Sequence, residues 1–176
     1  MKRRLCANLI IVLTISAIFN ADADVLGAAD LEMMSIEGGQ FVDHFTRLRW
    51  QRCTYGTTWM QDRCVGKIKK LTWVEARRLN PVRWSGRLWR IPNKAEMETL
   101  VDSSGPEFKI DSEIFPDVSG NNRLFWTADR SRNGTRWVVD FQLGRFDDQL
   151  DTEERRLGVR LVSTEADWLS QSLGLP

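Results

Sequence analysis

Residues 71–100 read LTWVEARRLNPVRWSGRLWRIPNKAEMETL. Thr72 stands three residues before Glu75, and Asn93 three before Glu96, each pair just ahead of apolar positions. At that spacing an N-cap side chain and a returning carboxylate satisfy the first free N–H groups of a helix. Pro81 ends the first helix, because proline has no N–H and crowds the preceding turn. Ile91 before Pro92 is held extended, which delays the second helix to Asn93. The reading is two short helices, 73–80 and 94–102, joined by a turn rich in tryptophan (Trp84, Trp89) with Trp73 nearby.

Outward from this unit the pattern changes to strands. Residues 40–43 and 48–51 alternate upstream, and 124–128 and 136–141 alternate downstream around Asn133-Gly134, the strongest short hairpin signal. Gly144 marks another turn before a strand near Phe146, and 158–163 supply the last strand. The polar connection 103–120 carries Ile110, Ile114 and Phe115, which fold back onto the core. Trp50, Trp73, Trp89, Trp126 and Trp137 fall at inward positions, where a large aromatic buries much apolar area. The expected class is α+β: a compact domain with two short helices and an antiparallel sheet of hairpins.

Several of these segments, in order, resemble the Lcl C-terminal domain family, named for a collagen-like protein. They are Leu71-Thr72-Trp73-x-Glu75-Ala76, then Trp89-Arg90-Ile91-Pro92-x-Lys94-x-Glu96-Met97-x-x-Leu100-Val101-Asp102. Upstream, Phe41-Val42-Asp43 and Arg47-Leu48-Arg49-Trp50-Gln51-Arg52-Cys53 are similar to the family's opening strand pair. Downstream, Phe125-Trp126-Thr127-Ala128, Trp137-Val138-Val139-Asp140-Phe141-x-x-Gly144 and Val159-Arg160-Leu161-Val162 are similar to its later strands. The resemblance covers 40–163 and implies a C-type-lectin-like fold with no assigned activity for most members. Two departures stand out: Thr46-Arg47 lacks the usual turn glycine, and Ala128 replaces a serine. No collagen Gly-x-y repeat precedes the domain, so a stalk-based role does not carry over.

Lys2, Arg3 and Arg4 precede an apolar run over 5–19, and Ala21-Asp22-Ala23 supplies small residues, the pattern of a secretory signal cleaved after Ala23. An uncleaved anchor is the competing reading, although the run is shorter than the roughly 20 residues of a membrane span. The organisation that follows is signal peptide 1–23, acidic lead-in 24–39, domain 40–163 and tail 164–176, in a periplasmic or secreted protein. After cleavage Cys53 and Cys64 remain, an even pair suited to a disulfide in an oxidising compartment. A bridge between them closes a loop of about 12 residues and contributes roughly 3 kcal/mol. With only His44 beside those two thiols no zinc spacing exists, and neither metal nor cofactor is expected.

Charge is segregated along the chain. Between His44 and Lys94 thirteen Lys/Arg face two acids, a net +11, whereas 95–176 hold nine Lys/Arg and sixteen acids, a net −7. The functional reading is a basic face for a polyanionic glycan or cell-surface ligand, with Arg63, Lys67, Lys69, Lys70, Arg83 and Arg87 as its candidates. Arginine's planar fork suits sulfate and phosphate, and Tyr55, Trp59 and Trp84 lie among these charges to stack on sugar rings. The bland reading has the basic and acidic halves pairing across one fold, at about 0–1 kcal/mol per surface pair.

A second cluster, Asp147, Asp148, Asp151, Glu153 and Glu154, has the oxygens calcium needs but no EF-hand spacing, so a solvated loop is the simpler reading. With His44 as the only histidine and no nucleophile elbow, phosphate loop or zincin motif, no catalytic constellation is found. The expectation is a non-enzymatic recognition domain. The alternative is a cell-envelope assembly component that binds a protein partner.

Overall fold

The computed structural model describes residues 34–150 and 154–164. The signal segment 1–23, most of the acidic lead-in and the tail from 165 lie outside the described residues. In chain order the elements are β1 (Met34–Glu37), β2 (Gln40–Asp43), β3 (Leu48–Gln51), β4 (Thr57–Met60), β5 (Arg63–Gly66), α1 (Trp73–Ala76), β6 (Val82–Trp84), β7 (Arg87–Trp89), α2 (Lys94–Glu98), β8 (Leu124–Arg130), β9 (Arg136–Asp140), β10 (Arg145–Asp147) and β11 (Val162–Thr164). They form a four-stranded sheet β1-β2-β3-β11, a three-stranded sheet β10-β9-β8, and the two hairpins β4-β5 and β6-β7. Every one of these strand pairings is antiparallel.

This corrects the α+β expectation of two helices and a sheet: the described chain is predominantly antiparallel β. Both capping boxes do form, with the Thr72 hydroxyl accepting from Glu75 N–H and the Asn93 side chain accepting from Glu96 N–H. Each, however, starts only a single turn, of four and five residues. After Ala76 the chain tightens into a 3₁₀ turn (Arg77–Leu79) and stops before the cis Asn80–Pro81 bond. A capping box reports where a helix begins and says nothing of its length, which depends on tertiary packing.

Three segments without strong strand signals became strands. The tryptophan-rich joint is the β6-β7 hairpin, closed by Ser85-Gly86 with both residues at positive φ (49° and 73°), the two-residue turn whose twist matches a hairpin. The disulfide-closed loop is the β4-β5 hairpin, and part of the lead-in is the edge strand β1. Arg47, where the family's turn glycine is missing, itself takes a φ of 57° between β2 and β3.

The interior consists of two apolar clusters. One joins Trp50 and Phe41 to Met97, Phe115, Phe125 and Phe141; the other joins Trp89 and Ile91 to Trp126, Val138 and Val159. Trp50, Trp89 and Trp126 are fully buried, each worth about 4–6 kcal/mol of gross transfer energy at 150–250 Å² of buried area. Trp73 and Trp137 are only half-buried. Arg136 lies over the Trp73 ring at 4.2 Å and Lys94 over Trp137 at 5.5 Å.

Among the described residues Arg160 is the cation placed wholly inside, at 0% exposure. Nη1 donates to the carbonyls of Gln51 (2.8 Å) and Arg52 (2.6 Å), and Nη2 donates to Asp117 Oδ1 (2.8 Å). The ring of Phe115 lies 4.6 Å from its guanidinium carbon. Burial pushes its pKa down from the ordinary value, opposed by Asp117. These contacts fix the backbone where β3 ends, which is where the surface cleft begins.

Candidate functional site

An open cleft of about 230 Å³ lies between the β4-β5 and β6-β7 hairpins, with the end of β3 as its floor. Gln51, Tyr55, Thr57, Thr58, Lys69 and Trp84 are among its lining residues. A second hollow of about 160 Å³ continues from it past Gly39, Gln40, Trp59 and Ser85. Gln51, Thr58 and Trp84 line both, so the two are arms of one groove.

Local chemistry sets each wall. The disulfide Cys53–Cys64, with Cα atoms 5.5 Å apart, ties the floor to β5. Gly56 has a φ of +99°, and a Cβ there would stand 2.6 Å from both Lys67 O and Lys69 N, so only glycine lets the 67–69 segment pass. Lys69 N–H then donates to Tyr55 O at 2.9 Å, which brings Lys69 to the cleft. On the other wall Trp89 Nε1 donates to Trp84 O at 3.2 Å, anchoring a tryptophan that is itself 45% exposed.

Trp59 is equally constrained. The guanidinium of Arg52 stacks on its ring at 3.6 Å, while the Arg52 N–H groups go to the carbonyls of Ile114, Glu113 and Gly38. Burial pushes the Arg52 pKa down from its ordinary value. Gly39 is needed here too, since a Cβ would sit 2.6 Å from Trp59 Cβ.

The six basic candidates do not form a single patch. Lys69 lines the cleft, Lys67 neighbours it through Gly56, and Arg83 and Arg87 lie on the hairpin that presents Trp84. Arg63 pairs with Met60 at the far end of the β4-β5 hairpin, and Lys70 donates its ammonium to Asn121 O at 2.5 Å. Arg63, Lys67 and Lys69 are exposed and make no ion pair among the described residues. Arg87 lies close enough to Glu37 to help hold that carboxyl below its ordinary pKa, behind the larger effect of the hydrogen bond from Arg49.

Part of the basic half is neutralised internally: Arg90 makes a two-pronged pair with Glu96 (2.7 and 2.5 Å), Lys94 pairs with Glu98, and Arg49 with Glu37. His44 Nε2 meets Ser35 Oγ at 3.0 Å on the surface. In the acidic loop Asp147 accepts from Gln149 N–H, and Asp148 from the Gln149 and Asn133 side chains; Asp151 and Glu153 lie outside the described residues. Among the described residues no three His, Cys, Asp or Glu side chains gather as a metal site.

Tyr55, Trp59 and Trp84, grouped from the sequence, line the groove, and so does Gln51, which the sequence did not single out. Gln51 is 9% exposed and faces both arms. Its only sequence signal was a polar residue ending the β3 pattern, which many strands share.

Fold and cleft define a small, disulfide-closed antiparallel-β domain with an aromatic, amide and cation-lined surface groove. The chain belongs to the Lcl C-terminal domain family, whose sequence profile matches residues 39–163. No curated protein and no solved structure matches it.

Proposed function

We propose that this chain is a non-enzymatic extracytoplasmic recognition domain whose groove and its basic surround bind a polyanionic glycan. The observation that carries this reading is the meeting of Lys69 with Tyr55 and Trp84 in one open cleft, with Lys67 beside it. Aromatic faces stack on sugar rings, and exposed ammonium groups without carboxylate partners attract sulfate or carboxylate. The Cys53–Cys64 bridge supports an oxidising compartment, as does the signal-like N-terminus.

The test is retention of the oxidised chain from Asp24 on heparin, compared with a plain cation exchanger, for the native protein and for Lys67→Glu/Lys69→Glu. Late elution from heparin that shifts steeply with salt, and is lost in the double variant, supports the reading, since counterion release makes such binding salt-dependent. Equal early elution from both columns refutes it and favours a protein partner.

A further inference from the structure

We propose that a separate hollow, at the end of the β10-β9-β8 sheet, holds the C-terminal residue of a peptide, its carboxylate on arginine and its aliphatic side chain on leucine. The hollow measures about 180 Å³ and shares no lining residue with the groove. It therefore stands apart from the glycan reading and does not depend on it.

Strand register builds the site. Leu124 on β8, Asp140 on β9 and Arg145 on β10 stand directly opposite one another, so their side chains share one face of the sheet. Asp147, two residues beyond Arg145, lies on that face as well. The paired Trp126 and Val138 of the same face belong to the second apolar cluster, and Leu124 and Leu150 pack against it. The hollow is where this apolar floor gives way to a charged rim. Gly144, at a φ of 64°, turns the chain from β9 to β10 and leaves the preceding Leu143 half-exposed at its edge.

Charge decides what the hollow takes. Three guanidiniums (Arg123, Arg145, Arg155) line it against the two carboxylates Asp140 and Asp147, which leaves one positive charge in excess. Both carboxylates are already engaged. Asp140 accepts from the N–H groups of Gln142 and Leu143, with Arg123 at 3.8 Å, and Asp147 accepts from Gln149 N–H. Arg145 and Arg155 are exposed and make no ion pair among the described residues. A single carboxylate neutralises the excess, and its two oxygens match the planar fork of arginine. A free ammonium in the same space would face three guanidiniums, so an acylated nitrogen, as in a peptide, fits better than a free amino acid.

Size supplies the remaining constraint. At roughly 30 Å³ per water the hollow has room for about six waters, the space of one residue. Leu124, Leu143 and Leu150 give an aliphatic side chain a wall that a bare inorganic anion could not use.

The experiment is a ¹H–¹⁵N chemical-shift titration of the oxidised chain with N-acetyl-leucine, N-acetyl-leucinamide, free leucine and inorganic sulfate. N-acetyl-leucine stands for the end of a peptide, and its amide keeps everything except the charge. We expect N-acetyl-leucine to shift the amides around Leu124, Asp140 and Arg145, and each of the other three to bind at least about tenfold more weakly. The same titrations are made with Arg145→Gln and Leu143→Ser, two exposed positions, each variant checked for an unchanged melting temperature. Arg145→Gln should weaken N-acetyl-leucine about tenfold and leave its amide unchanged, whereas Leu143→Ser should weaken N-acetyl-leucine and leave sulfate unchanged. Equal binding of the amide would remove the carboxylate from the site and overturn the proposal. Tighter binding of free leucine would make the ligand an amino acid instead of a chain end. Equal binding of sulfate would leave an adventitious ion only, and shifts centred on the groove, or none at all, would refute the site outright.

Discussion

Replacing Arg160 with methionine isolates the interaction that holds the cleft floor. Methionine keeps most of the stem that packs between Phe115 and Phe125, whose centroids lie 4.6 and 5.3 Å from the guanidinium carbon. What is lost is the charged end. Asp117, whose side chain is 8% exposed, keeps only the Thr54 N–H at 2.5 Å, and the carbonyls of Gln51 and Arg52 lose a donor. Breaking a buried pair from one side costs about 3–5 kcal/mol, a large part of a total stability of roughly 5–15 kcal/mol. For a domain of this size that is a fall in melting temperature of about 10–20 °C.

Removing both charges is a different perturbation. Arg160→Met with Asp117→Leu leaves no stranded carboxylate, and the pair should recover at least about 2 kcal/mol of the single-variant loss. Urea denaturation of the four proteins closes the cycle. A loss below about 1 kcal/mol for Arg160→Met, or a double variant no more stable than the single, would show that the guanidinium is not what fixes this backbone.

Three further outcomes follow from the same geometry. Reducing Cys53–Cys64, whose separation is 11 residues, should cost about 3 kcal/mol, read as a drop in melting temperature with tris(carboxyethyl)phosphine; no change would mean the β4-β5 hairpin is held without the bridge. Gly56→Ala forces a Cβ against Lys67 O and Lys69 N at a φ of +99°, so it should destabilise by at least about 2 kcal/mol in chemical denaturation, whereas Gly134→Ala, with open space around it, should cost less. On the acid side four carboxyls are held below their ordinary pKa: Glu37 by Arg49, Glu75 by the Thr72 N–H, Asp102 by Ser104 and Asp148 by Gln149. The unfolded chain therefore binds more protons as the pH falls, so their stabilisation is full above the ordinary carboxylate range and disappears as the pH drops through the lowered values. The melting temperature should fall between about pH 5 and 2, modestly and with salt sensitivity because these groups are exposed; a rise over that interval would contradict the assignment.

Local chemistry was legible residue by residue. Thr72-x-x-Glu75 and Asn93-x-x-Glu96 cap turns as their spacing requires, because a capping box involves atoms three residues apart. Strands β2 and β3, the turn containing Gly134 and the Cys53–Cys64 pairing also match their patterns. Helix length was not legible, since a cap marks only where a helix starts: α1 gives way to the 3₁₀ turn ahead of Pro81 and α2 stops at Glu98. Nor was the β6-β7 hairpin, whose Ser85-Gly86 turn was hidden inside a segment read for its tryptophans.

The sequence by itself determined the family, the caps, the disulfide partners and the supply of aromatic and basic residues, all of which depend on residue type and short spacing. Only the tertiary structure decided which of them meet. It joined Lys69 to Trp84 across 15 positions, placed Arg160 against Asp117 across 43, and brought Gln51 to the waist of the groove. Contacts at those separations follow from how the sheets and hairpins pack, and no local pattern of side chains encodes them.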